Sequence, residues 1–276
     1  MKDLLLLTDF SEWGMAATHA AFELATTMQA RLEILHAIQV PSDWEELADA
    51  KKDSFPEIRQ QIDYATAQLE ILQQEGESRG VVVQYQILYA GSTRNFIHHL
   101  TALRKDLIIM GATSRSALEK FVLGTTTERM MRRSGSPVLV VKQQDRPFQA
   151  KTVVFASGLE SDTHGAFQRL LDIAQQAGAE HLHFVEVTTP FNFVPSDEAM
   201  QRIENFLAQH PGVTLQTHNY NHFNIESGIM AFAKSVNADL IAIANHGRQD
   251  ISSIFVESIP ENLVKFGEIP VLSIKI

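Results

Sequence analysis

Cysteine is absent from this chain of 276 residues. That excludes disulfides, thiolate metal sites and a cysteine nucleophile. Basic side chains are scarce: 23 lysines and arginines stand against 33 acidic residues, a net charge of −10. Sequence-independent nucleic-acid binding needs concentrated positive charge, so that class is set aside. No segment approaches the roughly 18 consecutive apolar residues of a membrane helix. The opening MKDLLLLTDF holds a four-leucine run flanked by Asp3 and Asp9. A signal peptide wants a basic start and an apolar stretch of roughly 7–15 residues. The run reads instead as the first strand of a cytoplasmic protein. Three catalytic signatures are missing too: no GxxxxGK[ST], no GxSxG and no HExxH occurs. The spacing thus supplies no Walker lysine, no serine nucleophile elbow and no zincin helix.

What is present is a repeat. The segment from Asp106 to Lys142 recurs from Asp239 to Lys275 at an offset of 133 residues without a gap. Asp106, Arg115, Glu128, Pro137 and Lys142 return as Asp239, Arg248, Glu261, Pro270 and Lys275. Two unrelated apolar strands can share leucines and valines; they do not share Asp, Arg, Glu, Pro and Lys in register. Lys2–Thr8 likewise resembles Lys151–Ser157, and Leu35-His36 resembles Leu182-His183. Two units follow, 1–145 and 150–276, divided by a polar stretch holding Pro147. Each is long enough for its own core.

Within the first unit, short apolar runs alternate with amphipathic segments. Leu4–Leu7, Leu32–Ile38, Val81–Leu88, Leu107–Met110 and Val138–Val141 read as strands. Ala17, Ala20, Ala21, Leu24, Ala25 and Met28 recur at helical spacing behind Ser11, a fitting N-cap. Ile58–Arg79, Phe96–Leu103 and Thr126–Arg133 supply further helices, and Lys51–Pro56 reads as a solvated loop. Strands apolar throughout imply a parallel sheet covered on both faces, an α/β doubly wound domain of five strands, made twice. Such sheets bind ligands at the carboxyl ends of strands where the strand order reverses. That directs attention to Thr8–Ser11, Ala37–Gln39, Gly91–Thr93 and Gly111–Thr127.

Gly111 ends a strand, and Gly124-Thr125-Thr126-Thr127 opens a helix. Glycine followed by small hydroxyl residues at a helix start suits an anion, because backbone N–H groups and the positive dipole end face it. Arg115, Arg129, Arg132 and Arg133 lie on the same stretch. An ordinary strand–helix connection, with Gly111 as a turn and Thr125 as a cap, accounts for the same residues.

TDFSE at Thr8–Glu12, LHAI at Leu35–Ile38, the Gly91 turn, the glycine loop and SPVLVVK at Ser136–Lys142 together resemble the universal stress protein family, here as two UspA-type domains in one chain. The resemblance implies an adenine-nucleotide α-hydrolase-like fold and a small-molecule nucleotide, ATP, as candidate ligand. In nucleotide-binding members the loop reads G-x-x-G-x9-G-[ST]. Gly111 matches the first glycine and Gly124-Thr125 the last pair, with nine residues between Ser114 and Gly124. Ser114 replaces the second glycine. Where positive φ is needed, a Cβ there costs roughly 1–2 kcal/mol, about one decade of affinity. The resemblance also places Thr8 and Asp9 at the base and ribose end and the Ala37 backbone against adenine. Thr126 and Thr127 extend the phosphate end.

The second unit departs further: Gly158 stands where Asp9 stands, Ala244 replaces Gly111, and Glu257 takes the place of Gly124. It carries 7 basic against 14 acidic residues, a poor setting for a polyphosphate. These substitutions and this charge balance make the unit, on this reading, mainly a structural partner. Pairing of Val138–Val141 with Val271–Ile274 is expected within the chain, and a homodimer is a further expectation. His181, His183, His218 and His222 form the candidate metal set, against which stands a packed, hydrogen-bonded role for His183 and its counterpart His36. Trp13, Trp44, Phe191 and Phe193 mark loops after the first two strands of each unit, as packing residues or as ligand lids. The expected function is a stress-response protein that binds nucleotide and signals through conformation or partners, without dedicated catalytic residues, slow hydrolysis being left open. The competing reading is a nucleotide-free scaffold; a third is a metal-dependent or hydrolytic enzyme.

Overall fold

The computed structural model describes residues 2–112, 123–142, 147–157, 159, 163–245 and 259–276. Its strands are β1 (Asp3–Leu7), β2 (Arg31–Gln39), β3 (Val83–Ala90), β4 (Leu107–Gly111) and β5 (Val138–Val141) in the first half. The second half contributes β6 (Thr152–Ala156), β7 (His181–Thr188), β8 (Gln216–Asn221), β9 (Leu240–Asn245) and β10 (Val271–Lys275). The helices of the first half are α1 (Glu12–Thr27), α2 (Asp49–Lys52), α3 (Pro56–Ser78), α4 (Thr93–Ala102) and α5 (Thr125–Arg133). Those of the second are α6 (His164–Gln176), α7 (Ser196–Leu207), α8 (Ile225–Ser235) and α9 (Ile259–Phe266).

All strands join one sheet, ordered β3-β2-β1-β4-β5-β10-β9-β6-β7-β8. Within each half the pairing is parallel throughout; the halves meet where β5 and β10 run antiparallel, Leu139 opposite Leu272. The expected pairing of Val138–Val141 with Val271–Ile274 joins the two five-stranded sheets into one sheet of ten described strands. Successive residues of β1 serve opposite faces: Leu4 and Leu6 belong to the core layer that also holds residues of α1, α3, α6 and α7, Leu5 and Leu7 to the layer that holds residues of α4, α5, α8 and α9. Each buried leucine contributes about 1.5–3 kcal/mol relative to exposure. That two-sided burial is why β1 reads as an unbroken apolar run. No described helix is long and apolar enough to cross a membrane.

The repeated polar residues have structural tasks. The Asp106 carboxylate accepts the Asp3 backbone N–H at 2.9 Å, and Asp239 accepts that of Thr152 at 2.9 Å. The Pro137 carbonyl accepts from Ile108 N–H, and Pro270 from Ile241. Ser11 caps α1 by accepting the Gly14 N–H at 3.1 Å.

Three local expectations need correction. Lys51 and Lys52 lie in the short helix α2, and Pro56 opens α3, where its missing N–H is harmless. β3 starts at Val83 because Gly80, at φ +77°, turns the chain and Val81 still donates to Gly76 at the end of α3. Of the loop aromatics, Trp44 is buried with Ile38, Val40 and Ala65, whereas Phe191 and Phe193 are exposed and do not pack against the core.

Candidate functional site

The chain leaves β1 for β2 on one side and returns to β4 on the other, so the carboxyl ends of β1 and β4 diverge. A cavity of about 210 Å³ opens there, lined by Leu7, Thr8, Asp9, Gly14, Leu35, His36, Ala37, Phe96, Met110, Gly111 and Gly124–Thr127. The structure therefore brings Thr8, Asp9, Ala37, Gly111, Gly124, Thr125, Thr126 and Thr127 to one site. Ser114 and Arg115 lie outside the described residues. Gly91 is not among the lining residues; it lies against Ser42, whose Cα would sit 2.9 Å from an added Cβ.

The β1 end is a tight turn. Phe10 adopts φ +58°, uncommon for a residue with a bulky side chain, and its N–H donates to Thr8 Oγ1 at 3.2 Å. The Asp9 carboxylate accepts from the Ser11 hydroxyl at 2.5 Å and the Ser11 N–H at 3.1 Å, which fixes its orientation. His36 Nδ1 lies 2.9 Å from the Thr8 carbonyl, and its ring stacks on Phe10 at 4.5 Å. The carbonyl only accepts, so His36 carries its Nδ1 proton towards it.

The opposite wall is polar. Gly124 is the N-cap of α5 and supplies no side-chain cap, so the first-turn N–H groups of Thr125, Thr126 and Thr127 have no partner inside the helix. The Thr127 hydroxyl donates to the Gly111 carbonyl at 3.0 Å, and Gly124 N–H donates to Ala112 O at 3.1 Å. These bonds clamp the start of α5 to the end of β4. Gly111 has its own requirement: an added Cβ would lie 2.8 Å from the backbone carbon and oxygen of Trp13. An apolar slot (Leu7, Leu35, Phe96, Met110) closed by a helix start and hydroxyls suits a flat heteroaromatic group joined to an anion.

The universal stress protein family pattern matches residues 1–142 and again 149–275. The chain belongs to the universal stress protein family. Universal stress protein YxiE of Bacillus subtilis is 27% identical over 146 residues, 50% of this chain and 97% of YxiE. Universal stress protein MJ0531 of Methanocaldococcus jannaschii is 24% identical over 150 residues, 51% of this chain and 82% of that protein. The crystal structure of a universal stress protein from Archaeoglobus fulgidus matches the whole architecture: TM-score 0.74 at 18% identity, covering 99% of this chain and 98% of the other.

In this universal stress protein the second half repeats the turn. Leu159, equivalent to Phe10, adopts φ +65°, and its N–H donates to Ser157 Oγ at 3.1 Å, as Phe10 does to Thr8. Gly158 and Glu257, two of the three residues on which the loss of this pocket was expected to turn, lie outside the described residues. His183 matches His36 in position, yet its Nδ1 faces His218 Nε2 at 3.2 Å. Burial, then His218 and His181, hold His183 below the ordinary 6.5, and burial does the same to His218. Among the described residues no three histidines or carboxylates are grouped to hold a metal.

Sequence reading missed Gly14. A Cβ there would lie 2.8 Å from Asp9 Oδ1 and 3.1 Å from Thr8 Oγ1. The signal was present: glycine inside a helix costs about 1 kcal/mol against alanine, and it asks for a packing reason. The apolar wall was missed because Leu7, Leu35 and Met110 look like any buried strand residues.

Proposed function

We propose that the first half, as a unit of residues 1–145, binds an adenine nucleotide, ATP being the candidate, in the cavity between β1 and β4. Binding, rather than turnover, is its role: occupancy biases conformation and partner choice, in a cytoplasmic stress response. The second half, residues 150–276, serves as a structural partner. The observation that carries this reading is the convergence of Asp9, Ala37, Gly111 and Gly124–Thr127 on one cavity with a helix start at its polar end. In this pose the base lies against the Ala37 backbone, Asp9 accepts from ribose, and the Thr125–Thr127 N–H groups meet phosphate.

The test is release of nucleotide on denaturing the purified protein, followed by melting with millimolar ATP–magnesium. Saturation at 100 times Kd raises stability by about 2.7 kcal/mol. Gly124→Glu, which puts a carboxylate at the phosphate end, removes that shift. A shift that survives both Asp9→Ala and Gly124→Glu places the ligand elsewhere. No released nucleotide and no shift favour the scaffold reading instead.

A further inference from the structure

A chain of hydrogen bonds with a single permitted proton arrangement crosses the second half. His164 opens α6, and His210 lies just beyond the end of α7. His164 Nδ1 is 2.9 Å from His210 Nε2, and His210 Nδ1 is 2.9 Å from Gln168 Oε1. Gln168 donates its Nε2 proton to Asp172 Oδ1 at 2.9 Å, so the amide oxygen is the atom turned towards His210. An amide oxygen only accepts. His210 therefore carries its proton on Nδ1, its Nε2 accepts, and His164 donates from Nδ1.

The surroundings make this arrangement costly to change. His210 is 8% exposed. His164 stacks on Phe206 at 4.2 Å, and Phe167 meets His210 edge-on at 4.8 Å. The groups facing His210 among the described residues are, from α6, His164, Phe167 and Gln168 with Asp172 behind it, and, from α7, the ring of Phe206. A second proton on His210 has only Nε2 to occupy, which obliges His164 to give up its Nδ1 proton and take the other tautomer. Burial, then His164, hold His210 below the ordinary 6.5.

The mechanical setting differs from the first half. α7 has 12 residues where α3 has 23, and residues 208–215 complete the path to β8 as a connection without helix. The His210 N–H donates to Leu207 O at 2.8 Å, so the ring sits on the final turn of α7.

We propose that the His164–His210–Gln168 relay is a proton-operated latch, closed when His210 is neutral, that holds the end of α7 and the start of the 208–215 connection against α6. Protonation of His210 opens it. Because the folded state disfavours the charged ring, the unfolded segment binds more protons below 6.5. The latch is therefore closed above that value and weakens as pH falls.

Hydrogen exchange on the full chain, compared at pH 7.5 and 5.5 after correction for intrinsic rates, reads the latch. Residues 205–216 are expected to exchange several-fold faster at pH 5.5 than at pH 7.5. His210→Gln, which can accept from His164 and donate to Gln168 without titrating, is expected to flatten that response. Unchanged exchange in the wild-type protein, or the same acceleration in His210→Gln, overturns the proposal. A second measurement needs no variant: imidazole ¹⁵N spectra at pH 7.5 should show both His164 and His210 protonated on Nδ1. Finding either ring protonated on Nε2 alone refutes the relay.

Discussion

Arg132, on α5, holds Glu261, on α9, through two parallel hydrogen bonds of 2.5 and 2.6 Å. The same guanidinium reaches Glu128 at 2.7 Å. Glu128 and Glu261 are the two copies of one repeated glutamate, so a single arginine pairs with both across the junction. Glu261 is 3% exposed. Removing one partner of a buried pair costs about 3–5 kcal/mol, whereas an exposed pair is worth about 1 kcal/mol or less. Arg132→Ala should therefore lower the urea midpoint far more than Arg31→Ala, which breaks the exposed pair with Asp3. Equal, small losses in the two variants would remove Arg132 as the clasp between halves.

Gly14→Ala and Gly111→Ala should part ways. At Gly14 the new methyl meets the end of the Asp9 side chain, which can swing aside. The fold survives with little change in Tm, while the ATP-dependent melting shift falls because Asp9 leaves its Ser11 partners. At Gly111 the methyl meets the Trp13 backbone, which cannot yield without moving α1 from β4. A loss of about 1–3 kcal/mol is expected from such overpacking. Thermal melts with and without nucleotide separate the two behaviours.

Asp106→Ala and Asp239→Ala should destabilise to a similar extent, about 1–3 kcal/mol, since each removes the acceptor of a strand N–H. Chemical denaturation measures it. A loss in one variant and none in the other would break the structural equivalence of the halves.

His183 and His218 add to the pH response of the second half. Both sit below 6.5 in the folded protein, so the neutral rings are favoured. The unfolded state binds more protons below 6.5, and stability drops as pH descends from there. Replacing His218 by Phe should flatten part of the fall in unfolding free energy between pH 7.5 and 5.5. A decline identical to that of the wild-type protein would exclude this pair as a contributor.

The architecture was legible because its determinants are local or periodic. β1 declares itself by four adjacent leucines, and the register of the repeat by polar residues that bind backbone at fixed places, Asp106 and Asp239 above all. The polar wall of the cavity was legible from Gly124–Thr127, since a helix start is a sequence-local event. What stayed hidden depends on contact through space. His164 and His210 lie 46 residues apart with no shared period. Arg132 and Glu261 lie 129 apart. The true N-terminus of α3 escaped because Pro56, read as the end of a loop, serves equally as a first helical residue.

The two like halves that meet at the antiparallel seam between β5 and β10 belong to one chain. Dilution cannot separate them, and neither can trade its companion for another copy. The outermost strands left uncovered are β3 and β8, and β8 reads QTHNYN, a poor template for further stacking. Fused in this way, every molecule contains one copy of each half. A substitution in the second is therefore never imposed on the first, and the two are free to diverge independently.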